Sequence, residues 1–135
     1  MTRSATQYRH HPLLVLIVLL SLALTACGGG GDVLRSGSGE VVATLTWVPP
    51  EENTDNTPLE DLEGYRLYMG DSPNSLQPVI DIPASTTRFE ITDDDVFSAI
   101  GSTATGRSLT VYFALTAYNS LRIESSLSEI VSKAF

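Results

Sequence analysis

From Val41 onward the apolar residues recur at every second position, and this period constrains the chain more than any other feature. Ala43, Leu45 and Trp47 alternate with Thr44 and Thr46. Successive side chains of a strand point to opposite faces, so such a segment is apolar on one face and polar on the other. The run stops at Pro49-Pro50, where no N–H remains to extend a ladder. A loop rich in Asn, Asp, Thr and Pro follows, from Glu51 to Pro58. Tyr65, Leu67 and Met69 then alternate with Arg66 and Tyr68, closed by Gly70-Asp71. Shorter runs occur at Val79-Ile80-Asp81-Ile82 and at Phe89 and Ile91. The longest run sets Val111, Phe113, Leu115 and Ala117 on one face and Tyr112, Ala114, Thr116 and Tyr118 on the other. Leu127 to Phe135 is a weaker strand-like segment. Many short strands separated by turn clusters predict an all-β sandwich or barrel. No convincing helix is predicted after residue 40; Asp95 to Ile100 suits a single turn.

Several of these segments resemble a known module. Leu45-Thr46-Trp47 with Pro49-Pro50 resembles the second strand of a fibronectin type III domain, and Gly64-Tyr65-Arg66-Leu67-Tyr68 its third. Phe113-Ala-Leu-Thr-Ala-Tyr-Asn119 resembles the sixth strand, and Glu124-Ser-Ser-Leu-Ser128 the start of the last. Asn53 to Leu59 followed by Leu62-Glu63-Gly64-Tyr65 is similar to a short bacterial subgroup. The resemblance covers about Val41 to Phe135 and implies an immunoglobulin-like antiparallel β-sandwich of six or seven strands. Three departures stand out. Val111 occupies the place of the tyrosine that the family sets six residues before Ala117, so the corner hydrogen bond is not carried over. The connection from Asp93 to Ser108 exceeds the usual tight turn. Glu40 to Ala43 supply only part of a first strand.

Residues 1 to 12 carry Arg3 and Arg9 and no acid, and the apolar run Leu13 to Leu24 follows. A basic segment before a short apolar run is the pattern of a secretory signal peptide. The run has 12 residues, and a spanning helix needs about 20. A membrane anchor is the competing reading, and a core helix is a poorer one, because the run has no polar face. The run ends in Leu24-Thr25-Ala26-Cys27, which resembles a bacterial lipobox. That resemblance implies cleavage between Ala26 and Cys27 and a thioether-linked diacylglyceryl group on Cys27. Each buried methylene contributes about 0.8 kcal/mol, so two or three acyl chains hold a protein on a membrane where one does not. Gly28, rather than Asp, after the Cys leans toward the outer membrane in a Gram-negative host. Gly28 to Gly39, broken by Asp32-Val-Leu-Arg35, is a Gly/Ser-rich tether; about a dozen such residues reach roughly 20 Å. The chain therefore divides into a signal peptide (1–26), a lipidated tether (27–40) and one domain (41–135).

Chemistry is sparse in what remains. The chain has 135 residues, room for one ordinary domain. Its 16 Asp and Glu outnumber 8 Lys and Arg, and an acidic surface repels phosphate backbones, which argues against nucleic acid. Cleavage removes Arg3, Arg9 and both histidines, His10 and His11, leaving 6 basic against 16 acidic residues, a net charge of about −10. One cysteine forms no internal disulfide. With Cys27 lipidated and no histidine, nucleophile–base pairs and zinc spacings are absent, so neither an enzyme nor a cofactor is expected. Asp93, Asp94 and Asp95 offer oxygens to Ca²⁺, although Ca²⁺ takes six to eight of them and a solvated turn explains the same residues. The acidic loop with Glu51, Glu52, Asp55, Glu60, Asp61 and Glu63 suits a basic partner, or simply water. Tyr68, Tyr112 and Tyr118 are placed on the outer face of one sheet, where tyrosines favour protein or sugar contacts. Arg66 on the same face offers an alternative, local stacking on those rings. Trp47, in phase with Leu45, is expected in the core.

These features together suggest a lipid-anchored envelope protein with a non-catalytic interaction or structural domain. Its expected partners are the membrane and an envelope or extracellular protein or polysaccharide. A carbohydrate-binding or accessory subunit and a Ca²⁺-dependent adhesion domain are the alternatives.

Overall fold

A computed structural model describes residues 20–21, 38–53, 56–101 and 108–135, the first pair by backbone only. The expected cleavage site, Ala26 and Cys27, and the tether up to residue 37 lie outside these residues.

Alternation builds the sandwich. The strands are β1 (Leu20–Ser21), β2 (Val41–Trp47), β3 (Leu62–Gly70), β4 (Gln77–Pro83), β5 (Arg88–Thr92), β6 (Thr110–Asn119) and β7 (Val131–Ala134). All pairings are antiparallel, in the orders β1-β2-β5 and β4-β3-β6-β7. The two inner faces meet in one core. Leu45, Tyr65, Leu67, Ile91, Val111, Phe113 and Leu115 are fully buried in it, and Trp47 lies edge-on to Tyr65 with ring centroids 5.2 Å apart. The domain is thus an antiparallel β-sandwich of fibronectin type III-like plan, as the resemblance implies. β1 contributes a two-residue patch, with Leu20 opposite Trp47 and Ser21 opposite Thr46.

Two expectations are corrected. The stretch after β5 is a full helix, α1 (Asp93–Ile100), rather than one turn. Its start is a capping box: the Thr92 hydroxyl accepts from the Asp95 N–H, while the Asp95 carboxylate accepts from the Thr92 N–H at 2.9 Å. Gly101, at a φ of 79°, ends it by donating to the Phe97 carbonyl. Val96 anchors the helix in the core. Period-two alternation does not mark α1, which carries only its capping residues and a short apolar stripe. The segment from Leu127 is also strand only over Val131–Ala134. Upstream, Ser125 and Ser128 satisfy β6 with side chains as well as backbone. Their hydroxyls accept from the N–H groups of Ala117 and Leu115 at 3.0 and 2.9 Å.

The loops sort to two poles. One pole gathers the start of β2, α1, the β3–β4 turn (71–76) and Phe135, which pairs with Leu109. The other gathers the loop 48–61, the turn 84–87 and the turn 120–124.

Candidate functional site

The outer face of β4-β3-β6-β7 carries the richest polar cluster among the described residues. Antiparallel register sets Arg66 opposite Thr116, Tyr68 opposite Ala114, Gly70 opposite Tyr112 and Gly64 opposite Tyr118. Cross-strand neighbours share a face, so the three expected tyrosines do lie on one side. Glycine opposite tyrosine leaves room for the ring to fold down. A Cβ on Gly64 would stand 2.7 Å from the Tyr118 hydroxyl and 2.6 Å from the Ile82 carbonyl. Tyr118 is consequently covered, only 6% exposed. Arg122 and Arg66 lie over its ring, 4.9 and 5.5 Å from the centroid. Tyr68 and Tyr112 are half-buried.

Glu124 organises this face, a role sequence reasoning did not see. Its carboxylate accepts from the Tyr68 hydroxyl at 2.7 Å, the Thr116 hydroxyl at 3.0 Å and the Arg66 guanidinium. Arg66 also grips Asp81 through two parallel bonds of 2.6 and 3.1 Å. The Asp81 hydrogen bond holds Arg66 still more firmly protonated, and Arg66 in turn holds the Asp81 carboxyl below its ordinary value. Burial, reinforced by Glu124, raises the Tyr68 phenol. No sequence spacing points to Glu124, because its partners stand 8 to 58 residues away. The stacking of Arg66 on a tyrosine, by contrast, follows from their shared face.

The three aspartates have structural partners. Asp93 is buried, accepts from the Ser38 hydroxyl and from the Asp94 N–H at 2.9 Å, and donates its own N–H to the Glu40 carbonyl at 2.9 Å. Hydrogen bonding to the carboxylate, from the Ser38 hydroxyl first and then from the backbones of Asp94, Glu40 and Ser38, outweighs burial and holds it below the ordinary range. Asp95 serves the capping box, and Asp94 is exposed. All three sit in the first turn of α1, where negative charge complements the helix dipole. Among the described residues, no group of three or more His, Cys, Asp or Glu is arranged to hold a metal ion. In the acidic loop, Asp61 accepts from the Asn119 amide at 3.0 Å, while Glu51, Glu52, Glu60 and Glu63 are exposed. Asp55 lies outside the described residues. Two buried polar atoms, the Trp47 indole N–H and the Tyr65 hydroxyl, have no hydrogen-bond partner among the described residues.

No protein-family model matches the chain, and no curated protein matches it. Solved structures do. Pectate lyase PelI from Erwinia chrysanthemi is 14% identical over 87% of this chain and 28% of its own, with a TM-score of 0.51. A β-1,2-glucanase from Parabacteroides distasonis is 22% identical over 67% of this chain and 10% of its own, with a TM-score of 0.45. The fibronectin type III domain of human fibronectin type III domain containing protein 3 is 20% identical over 81% of this chain and 90% of its own, with a TM-score of 0.45. The chain thus spans about a quarter of the lyase and a tenth of the glucanase. The likeness to the lyase concerns the fold alone.

Proposed function

We propose that this protein is an envelope lipoprotein whose sandwich serves as a non-catalytic interaction or structural module. The observation that carries the proposal is Leu24-Thr25-Ala26-Cys27, placed directly after an apolar run and directly before a Gly/Ser-rich tether. An address, a spacer and a folded domain follow one another in the order that lipid anchoring requires. Mature protein would lose β1, leaving β2 and β5 to pack on the four-strand sheet. The fibronectin type III-like fold supports a contact role, since such sandwiches present loops and sheet faces rather than a catalytic cleft. The partner we propose is another envelope or extracellular protein or polysaccharide, met from an outer membrane if the host has one.

Intact mass and membrane fractionation of the full chain in a lipoprotein-processing bacterium test this, beside Cys27→Ala. Expected are loss of residues 1–26, gain of acyl mass and sedimentation with membranes, all abolished in the variant. An uncut or unlipidated wild-type product overturns the proposal.

A further inference from the structure

We infer that the anchored domain hangs from the pole where β2 starts, so that the loop 48–61 and the turns 84–87 and 120–124 face away from the bilayer. This rests on the lipid-anchor reading above.

Among the described residues, Ser38 leads into β2. Its hydroxyl donates to Asp93, and the Asp93 N–H donates to the Glu40 carbonyl at 2.9 Å, so the entry is fastened to the first turn of α1. Val41 then pairs directly with Thr92 at the end of β5. Ser38, α1 and Phe135 therefore share one end of the sandwich.

Lengths then decide the orientation. Ten residues separate Cys27 from Ser38, and a flexible coil of that size reaches roughly 17 Å. The seven residues of β2 span about 23 Å. The far pole therefore stands off the membrane by the tether plus a whole sheet length. The net charge of about −10 keeps the domain from lying flat on anionic lipid. A partner approaching from outside the membrane meets exposed Glu51, Glu52, Leu121 and Arg122 first. One already in the same membrane reaches α1 and Phe135 instead.

Energy transfer to a headgroup acceptor in phosphatidylcholine vesicles tests the orientation. Cys27 is the chain's one cysteine, so lipidated protein accepts a single new label. Asn74→Cys marks the entry pole and Ser85→Cys the far one; both positions are exposed turns. The expected result is stronger transfer from Asn74→Cys, equivalent to a shift of about 20 Å toward the bilayer. Equal transfer, or stronger transfer from Ser85→Cys, overturns the inference. The same pair held on nickel-chelating vesicles by six histidines inserted in place of Cys27 separates the two failures. An unlipidated native protein sinks the anchor reading, while the tagged pair still decides which pole faces the membrane.

Discussion

The inner and outer faces of β3 and β6 are made by the same two strands, yet they solve opposite problems. The inner face buries Tyr65, Leu67, Met69, Val111, Phe113 and Leu115 against the other sheet, and its attraction is non-directional. Among the described residues, no sheet covers the outer face. It covers itself with a polar layer in which Arg66, Tyr68 and Thr116 converge on Glu124 and two arginines roof Tyr118. Apolar packing tolerates exchange of similar volumes, whereas the polar layer depends on directed bonds. The difference teaches that a strand's apolar phase fixes which way a residue points but not what it meets there.

Substitutions on the two faces sharpen this contrast. The largest effect is expected at the inner face: Phe113→Ala, wholly buried, should lower unfolding free energy by about 3–5 kcal/mol in denaturant melts. Gly64→Ala comes next. The backbone oxygen of Ile82 stands 2.6 Å from the new Cβ and cannot swing aside as a side-chain tip would. A loss of about 1–3 kcal/mol is expected, and a neutral result would mean that Tyr118 and β4 shift freely. Glu124→Gln should cost about 1–3 kcal/mol through its charge-assisted bonds. It should also bring the Tyr68 phenol back toward its ordinary value in an ultraviolet titration, since Glu124 adds to the effect of burial there. An unchanged titration would show that Glu124 is not its partner in solution.

Asp93→Asn acts through pH. The folded carboxyl titrates below its ordinary 3.8. Above that value the folded and unfolded carboxyls are both ionised, and this contribution to stability is fully present. As pH falls through 3.8 the unfolded chain takes up the proton first, and the contribution is lost down to the folded value. Melts between pH 5 and pH 2 should therefore slope less steeply in the variant. The smallest effect is expected at Arg88→Ala, whose ion pair with Glu90 is more than half exposed on both sides; about 0.5 kcal/mol or less follows.

Much of the sandwich was legible beforehand because burial imposes its period on each strand. Leu45, Trp47, Leu67, Phe113 and Leu115 announce their inward phase. The shared outward face of Tyr68, Tyr112 and Tyr118 follows from the same parity. The helix was less legible: Thr92 to Asp95 form a capping box, a four-residue cue that reads equally well as an acidic turn. Glu124 was invisible, for it lies in a turn and finds Arg66 across 58 residues of chain. The position of Ser38 was equally hidden, being fixed by Asp93, 55 residues on.

The sequence by itself determined the period-two strands, the inward residues, the acidic balance and the order of apolar run, lipobox-like motif and Gly/Ser segment. These are local properties, set by side-chain chemistry and spacing along the chain. Only the tertiary structure decided that Glu124 gathers Arg66, Tyr68 and Thr116, that Tyr118 is roofed rather than presented, and that Ser38 sits at the same pole as Phe135. Those outcomes depend on which strands become neighbours and in what register, and pairing between distant segments is settled by the packing of the whole sandwich.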